Sequence, residues 1–198
     1  MSNYLQDSFS RMAFVAIDVQ RGFCDPKYSD RGTAKTKAVA RKIADFVPQV
    51  KKLNILTAAV FMGQSSESPI TAFGGLYGTS PTDWNVTLSK SKDSLFDNAY
   101  ASEAFKVANF TNLILCGFNA GACVKATAEE GLRLGFRVTV LSDLVGQDQA
   151  GFARGFEESI KAHVLDELLM AGAQVVTSRG FLSDMQKQRL RHAALCHP

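Results

Sequence analysis

Short runs of continuous apolar residues alternate along this chain with longer segments whose apolar residues recur at helical spacing. MAFVAIDV at 12–19 and NLILCG at 112–117 are the clearest apolar runs, and each has the length of a strand buried on both faces. Helical spacing follows at 34–53 and at 122–134. Strands that alternate with helices pair in parallel through right-handed crossovers. The chain therefore predicts a three-layer α/β sandwich with a central, mostly parallel sheet of five or six strands.

The rest of the chain continues this alternation, with one long irregular stretch in it. Further strands are predicted at 54–61, 84–90, 136–143 and 173–177, and further helices at 99–109, at 153–171 and from about Phe181. Pro48 should kink or end the helix over 34–53, because proline lacks the amide hydrogen that a helix needs. Between Met62 and Thr82 the sequence is rich in Gly, Ser, Thr and Pro, and no periodicity is visible. A loop of this length inside a compact domain is usually functional or disordered.

Length and composition limit the class of protein. The chain has 198 residues, of which 46% are hydrophobic and 21% charged, so we expect one globular domain over residues 1–198. The net charge of +3 is too small to indicate a nucleic-acid-binding protein. No apolar run approaches the roughly 20 residues of a membrane span, and the segment MSNYLQDSFSRM lacks the apolar core of a signal peptide. We therefore expect no membrane association and a cytoplasmic location.

Reactive side chains stand at the ends of three predicted strands, where open parallel sheets bind their ligands. Asp18 and Gln20 end the first strand region, Lys90 ends the third strand, and Cys123 begins the helix after the fourth. Each has an ordinary structural alternative, since Asp18 can cap a turn, Lys90 can be solvated and Cys123 can pack as a small apolar residue. Together, however, an acid, a base and a nucleophile at adjacent strand ends form the set that covalent catalysis requires.

The segment before Cys123 favours the catalytic interpretation. Residues 117–122, GFNAGA, carry little bulk next to the cysteine, so backbone amides there can approach a ligand. A helix N-terminus and a nearby ammonium both favour a thiolate, so we expect the pKa of the Cys123 thiol to be lowered. The other cysteines, Cys24, Cys116 and Cys196, are widely separated, as is typical of reduced cysteines in a cytosolic protein.

Three segments resemble the motifs of the isochorismatase-like superfamily of cysteine hydrolases. AFVAIDVQRGFCDP is similar to its D-x-Q-x-x-F motif, LSKSKDSLF to its K-x-x-x-S-x-F motif, and LILCGFNAGACVKATAEEG to its G-x-x-x-x-x-C-V-x-x-T-A block. The matching residues are Asp18, Gln20, Phe23, Lys90, Ser94, Phe96, Gly117, Cys123, Val124, Thr127 and Ala128. The motifs occur in the family's order and the similarity spans about residues 12–180, so the resemblance implies the family's fold for nearly the whole chain.

The resemblance implies a catalytic triad in which Asp18 is the base, Lys90 stabilises charge and Cys123 is the nucleophile. Lys92 is the alternative to Lys90, since spacing alone does not exclude it. The implied activity is hydrolysis of an amide-type carbon–nitrogen bond of a small molecule through a thioester intermediate. Two alternatives stay open: an isochorismatase-type hydrolase that cleaves a vinyl ether without thiol attack, and a catalytically silent binding protein with the same fold.

The resemblance also implies how the backbone near the nucleophile is used. A cis peptide bond is expected between Phe118 and Asn119, and it would aim the amide of Asn119, with that of Cys123, at one point in space. Two amides that converge in this way form an oxyanion hole. Gln20, Phe23 and Phe118 are the candidate substrate-binding residues.

The chain lacks the histidines of the metal-dependent relatives. Nicotinamidases of this superfamily carry a D-x-H-P-x-x-H-like motif after the second strand, where this chain reads VFMGQSSESPITAF. Its three histidines, His163, His192 and His197, come late and show no zinc-ligand spacing. We therefore expect no metal and no other cofactor, and the sequence argues against nicotinamidase activity.

Substrate selection is expected in the irregular loop over 62–85, which contains Phe73, Tyr77 and Trp84. These aromatic residues either anchor a cover that packs on the domain or on a partner subunit, or form the wall of a substrate pocket. The expected partner is a small-molecule substrate. By resemblance alone, a homo-oligomer, either a dimer or a tetramer, is also expected.

Overall fold

One parallel sheet organises the part of the chain that the computed structural model describes, which is residues 11–63, 68 and 71–196. Among these residues there are six strands: β1 (Met12–Ile17), β2 (Leu56–Met62), β3 (Val86–Lys90), β4 (Asn112–Gly117), β5 (Arg137–Val145) and β6 (Gln174–Val176). Their order is β3-β2-β1-β4-β5-β6, and every neighbouring pair is parallel. The chain runs outward from β1 and later outward from β4, so the direction reverses between these two strands. Open α/β sheets bind their ligands at this point.

Helices cover both faces of the sheet. They are α1 (Arg21–Cys24), α2 (Ala34–Lys51), α3 (Ala99–Val107), α4 (Lys125–Arg133), α5 (Glu157–Met170) and α6 (Ser178–Cys196). Apolar side chains of α2 and α6 pack on one face, and those of α3, α4 and α5 pack on the other. This arrangement confirms the predicted three-layer α/β sandwich. None of the described helices combines the length and the hydropathy that a membrane span needs.

Because helices cover both faces of the sheet, the strand sequences are continuous apolar runs. Successive side chains of a strand point to opposite faces, so a strand with helices on both sides needs apolar residues at every position. All six residues of β1 are buried. Phe14 packs under α2, where its ring lies 5.6 Å from that of Phe46, while its neighbour Val15 lies in the core on the other face.

Element boundaries differ from the predictions where local backbone geometry decides them. The helix α2 does not end at Pro48 but continues for one turn to Lys51, where Val50 is fully buried against the core. A proline this close to a helix end removes one hydrogen bond, and the apolar contacts of the last turn hold it. The predicted helix over 122–134 begins instead as a π turn, Ala120–Val124, before α4. The last helix starts at Ser178, one turn earlier than expected.

Gly117 allows the two central strands to come together at the carboxyl edge. Its φ is +116°, and a Cβ atom built on it would lie 1.9 Å from the carbonyl oxygen of Ile17. The same oxygen accepts a hydrogen bond from the amide of Phe118 at 2.8 Å. Because the backbone of β1 occupies the space that a side chain would need, only glycine fits at this position.

We predict that Gly117→Ala destabilises the protein far more than Gly135→Ala. Gly135 also has a positive φ, of +87°, but no atom lies within 4 Å of the point that a Cβ atom would occupy there. Its substitution therefore costs only conformational strain, about 1–2 kcal/mol, whereas Gly117→Ala adds an overpacking cost of about 1–3 kcal/mol or more. Urea unfolding of both variants measures the difference. Equal losses would contradict the close approach of β1 and β4.

Candidate active site

Asp18 lies directly after β1, and its backbone turns the chain away from the sheet. Its φ is +51°, in the left-handed region that residues other than glycine seldom adopt. The amide of Asp18 donates to the carbonyl oxygen of Val60 at 2.8 Å, and its own carbonyl accepts from the amide of Gln20 at 2.7 Å. Its side chain is buried. The unusual backbone conformation therefore places a carboxylate beneath the surface at the carboxyl edge of the sheet, as strained residues at functional sites often do.

Lys90 is the last residue of β3, and its ammonium reaches this carboxylate. The strand β2 separates β3 from β1, so the two strands lie about 10 Å apart at ordinary strand spacing. The extended side chain of Lys90 spans the gap and brings Nζ to 2.7 Å from Asp18 Oδ2, with 0% and 1% of the two side chains exposed. Nζ also donates to the carbonyl oxygen of Lys92 at 3.1 Å. Lys92 itself is exposed, so the structure brings Lys90, and not Lys92, to Asp18.

The ion pair leaves part of the carboxylate available. Asp18 Oδ1 makes no hydrogen bond of ordinary geometry with the described residues, although the thiol of Cys123 and the backbone of Met62 interact with the carboxylate. Burial raises the pKa of Asp18 above 3.8, and the positive charge of Lys90 opposes that rise. A buried carboxylate with a raised pKa and an unshared oxygen is suited to accept and return a proton.

A compact turn positions Cys123 on the same edge. The peptide bond between Phe118 and Asn119 is cis. The carbonyl oxygen of Asn119 accepts hydrogen bonds from the amides of Ala122 at 3.2 Å and Val124 at 3.0 Å, and this second bond closes the π turn. The side-chain oxygen of Asn119 accepts from the amide of Asp148 at 2.9 Å, which ties the turn to the segment after β5. The thiol of Cys123, 4% exposed, is thereby held at the start of the helix. π turns of this kind occur frequently at functional sites.

Most amides of this turn are already used. The amide of Ala120 donates to the carbonyl oxygen of Gly146 at 2.9 Å, and that of Gly121 donates to Gln147 Oε1 at 2.9 Å. Among the described residues, the amide of Asn119 donates to no acceptor, and that of Cys123 donates to none outside the turn. The oxyanion hole at these two amides stays a prediction.

The thiol of Cys123 is protonated at rest, so the expectation of a lowered pKa was wrong. Burial raises the pKa of Cys123 to about 12, and the negative charge of Asp18 adds to that rise. Lys90 lowers it, but its charge is shared with Asp18 at 2.7 Å. Loss of hydration therefore outweighs both the helix N-terminus and the ammonium. The thiol interacts with both members of the ion pair, so the three side chains meet at one place.

Asp93 is a site residue that the sequence analysis missed. Its Oδ1 lies 3.6 Å from Cys123 Sγ, within range of a hydrogen bond from the thiol, and its side chain is exposed. It falls at a variable position of the K-x-x-x-S-x-F pattern, three residues after Lys90. Spacing carries no information about such a position, and only the folded loop shows that it faces the thiol.

The three candidate substrate-binding residues all make contacts inside the protein. Gln20 is fully buried; its Nε2 donates to the carbonyl oxygens of Met62 and Ala72, and its Oε1 accepts from the amide of Met62. Gln20 therefore joins the ends of β1 and β2 to the loop beyond. Phe118 is fully buried, and its ring occupies the space beside Gly146 that a Cβ atom would fill. A role of these residues in substrate binding stays a prediction.

Phe23 is buried beneath an exposed aromatic residue of the irregular loop. The rings of Phe23 and Phe73 stack with centroids 5.1 Å apart, and Phe73 is 43% exposed. The guanidinium of Arg31 lies over the ring of Phe23, 4.7 Å from its centroid. Trp84, by contrast, is buried and stacks on Phe14 in the core. The loop thus contributes both to the core and to an exposed wall; residues 64–67, 69 and 70 lie outside the described part of the chain.

The described residues include no cluster of side chains that could bind a metal ion. Within those residues, no group of three or more His, Cys, Asp and Glu side chains is arranged to hold a metal ion. The charged partner of Asp18 is the ammonium of Lys90, whose Nζ lies 2.7 Å from Asp18 Oδ2. That the protein uses no metal stays a prediction.

Comparisons with known proteins agree on one family. A family model described as the isochorismatase domain matches residues 12–178 of this chain. The uncharacterized isochorismatase family protein YrdC of Bacillus subtilis (strain 168) is 23% identical over 140 residues, which cover 67% of this chain and 72% of that protein.

Solved structures share the fold. A cysteine hydrolase from Pseudomonas syringae pv. phaseolicola 1448A superposes with a TM-score of 0.75 at 15% identity, over 92% of this chain and 95% of that chain. A pyrazinamidase of Pyrococcus horikoshii, in complex with zinc, superposes with a TM-score of 0.68 at 20% identity, over 84% and 99% of the two chains. At these identities, the similarity shows a common architecture.

We predict that Lys90→Met destabilises the protein by about 3–5 kcal/mol, because it leaves the buried carboxylate of Asp18 without its counter-charge. The matched control is Lys125→Met: Lys125 pairs with Glu167 at 2.8 Å, but the side chains are 30% and 39% exposed, so its loss costs about 0–1 kcal/mol. Urea unfolding at pH 7 and pH 4 tests both variants. The Lys90→Met defect should shrink at pH 4, where protonation neutralises Asp18; a defect independent of pH would contradict this account.

Proposed function

Since this chain belongs to the isochorismatase family of hydrolases, we propose that it is a cysteine hydrolase that cleaves an amide-type carbon–nitrogen bond of a small molecule. The observation that carries this proposal is the buried pair of Lys90 and Asp18, 2.7 Å apart, in interaction with the thiol of Cys123. Hydrolysis of an amide by a thiol needs a nucleophile, a group that accepts and donates protons, and a positive charge that stabilises the negative charge developing during attack. These three side chains supply one of each.

In the first half of the reaction, Asp18 accepts the thiol proton as the sulfur attacks. The Sγ–carbon bond forms and the carbonyl π electrons move to oxygen, which the amides of Asn119 and Cys123 would stabilise. The protonated Asp18 then gives its proton to the nitrogen, the carbon–nitrogen bond breaks, and the amine leaves. The product on the enzyme is a thioester of Cys123.

In the second half, water releases the acid. Asp18, again ionised, accepts a proton from water as the water oxygen attacks the thioester carbon. The carbon–sulfur bond then breaks, and the thiolate recovers its proton from Asp18. The enzyme returns to its starting state, with one water consumed and one amine and one carboxylic acid formed.

Lys90 is the fixed counter-charge of the buried site, whose net charge stays constant through these steps. Before attack, the site holds an ammonium, a carboxylate and a neutral thiol. When the proton moves from Cys123 to Asp18, the negative charge moves to sulfur, or onward to the substrate oxygen, and the ammonium is still next to it. Because the negative charge only moves between atoms close to this ammonium, no new unpaired ion forms in the buried site. Most of the free-energy cost of forming an ion away from water is therefore avoided.

Vinyl-ether cleavage of the isochorismatase type is the second candidate, and one observation favours it. The raised pKa of Asp18 makes its acid form a proton donor, and this reaction needs no thiolate. In that mechanism Asp18 would protonate the vinyl carbon and Cys123 would form no covalent bond. The two candidates therefore differ in their dependence on the thiol.

We predict that Cys123→Ala abolishes amide turnover while the fold is retained, because no other described group can attack the carbonyl carbon from that position. The matched control is Cys24→Ser, since Cys24 is buried and its Sγ donates to the carbonyl oxygen of Gln20 at 3.1 Å, a bond that a serine hydroxyl can keep. Ammonia release from a panel of small primary amides is the measurement, with circular dichroism to check folding. Retained activity in Cys123→Ala would exclude the thioester and favour the vinyl-ether alternative.

We predict that kcat/KM for the amide falls on the acid side with an apparent pKa above 3.8. Asp18 has to be ionised to accept the thiol proton, and burial raises its pKa, so activity is lost as the pH falls through that raised value. Lys90→Met removes the charge that opposes this rise, so its acid limb should move to still higher pH. The pH dependence of kcat/KM of both proteins tests this. If the apparent pKa of the acid limb is the same in Lys90→Met as in the unmodified protein, the proposed role of Asp18 is contradicted.

A further inference from the structure

One negative charge near the thiol takes no part in the proposed mechanism. Asp93 lies with Oδ1 3.6 Å from Cys123 Sγ, and its side chain is exposed whereas the thiol is almost completely buried. A carboxylate that contacts the buried nucleophile and is itself exposed links the thiol to the protein surface. A substrate that approaches the sulfur therefore has to pass close to this charge.

The loop that carries Asp93 is held from both ends. On one side, the ammonium of Lys90 donates to the carbonyl oxygen of Lys92 at 3.1 Å. On the other, Ser94 Oγ accepts from the amide of Phe96, and the amide of Leu95 donates to Thr127 Oγ1 at 3.1 Å. Thr127 belongs to α4, the helix that follows Cys123. The position of Asp93 relative to the thiol is therefore fixed by the same elements that build the site.

The charge of Asp93 is not neutralised by its surroundings. Asp18 and Lys90 are paired with each other at 2.7 Å, and Arg31 is paired with Asp148 at 2.7 Å. Among the described residues, no cation lies within ion-pair distance of Asp93. The two ion pairs and Asp93 together therefore carry one net negative charge. That charge is on the exposed carboxylate of Asp93.

We propose that Asp93 determines substrate specificity by charge: it favours small substrates with a cationic or hydrogen-bond-donating group next to the scissile carbonyl and disfavours carboxylates. As a statement about substrates, this rests on the proposed function. A negative substituent close to the reacting carbon would meet the unpaired carboxylate, whereas an amine or amide N–H would form a charge-assisted hydrogen bond with it. The same charge counts against an anionic substrate of the isochorismatase type.

The test compares two reagents that modify the thiol and differ in charge. In each, Cys123 sulfur attacks a methanethiosulfonate, a disulfide forms and methanesulfinate leaves; one reagent carries a trimethylammonium group and the other a sulfonate. Modification rates at Cys123 are read by peptide mass spectrometry in the unmodified protein and in Asp93→Asn. A change in the fraction of thiolate affects both rates equally, so the ratio of cation to anion rates reports only the local charge.

We expect the ratio to fall about 25-fold in Asp93→Asn at low salt. The interaction of two unit charges about 4 Å apart in water is worth about 1 kcal/mol, which is roughly a fivefold change in rate. The charge of Asp93 should raise the rate of the cationic reagent and lower that of the anionic reagent by this factor, so the two effects multiply in the ratio. At 1 M salt the difference should largely disappear, since the screening length is then about 3 Å. Asp45→Asn is the matched control: Asp45 is exposed on α2, on the opposite face of the sheet from Cys123, so its ratio should not change.

The outcomes separate this proposal from the proposed function. An unchanged ratio in Asp93→Asn, with amide turnover that still depends on Cys123, overturns the charge proposal alone. A reduced ratio without any Cys123-dependent turnover upholds the charge at the thiol and overturns the proposed activity. A Cys123 that neither reagent modifies overturns the charge proposal, whereas the proposed function is judged by Cys123-dependent amide turnover alone.

Discussion

The ammonium of Lys90 and the carboxylate of Asp18 are both withdrawn from water at the carboxyl edge of the sheet, 2.7 Å apart. Each charge alone would be too costly to bury, so neither residue can occupy its position without the other. The pair also links two strands that are not neighbours, because Lys90 of β3 extends past β2 to reach the end of β1. It also fixes the loop after β3 through the bond from Lys90 to the carbonyl of Lys92.

Burial has a second consequence, since it sets the protonation state of the nucleophile. A thiol with a pKa of about 12 is a poor nucleophile by itself, and it is also inert toward chance reactions. In the proposed mechanism, attack then requires that the proton leave as the sulfur approaches the carbonyl. The adjacent Asp18, whose own pKa is raised by the same burial, is matched to that transfer. The site thus favours a reaction in which proton movement and bond formation are coupled over one in which a thiolate is stored.

Charge at the entrance adds selectivity to this chemistry. The buried groups carry no net charge that would select between anions and cations. Asp93 breaks this balance from an exposed position next to the sulfur. Because the residue contributes to neither the core nor the ion pair, its identity can differ without loss of the fold. The two proposals thus assign reaction chemistry to Lys90, the last residue of β3, and substrate choice to Asp93, in the loop that follows it.

The sequence by itself determined the layer architecture, because strands buried on both faces and helices buried on one have different apolar periods, and these periods are local properties. It also placed Asp18 and Lys90 at strand ends and Cys123 at the start of the helix after β4, on the edge where parallel pairing brings side chains together. Only the tertiary structure decided that Lys90 rather than Lys92 meets Asp18, that the thiol is protonated, and that Asp93 faces it. Desolvation and the direction of an exposed side chain depend on atoms that are distant in the chain, so no local pattern encodes them.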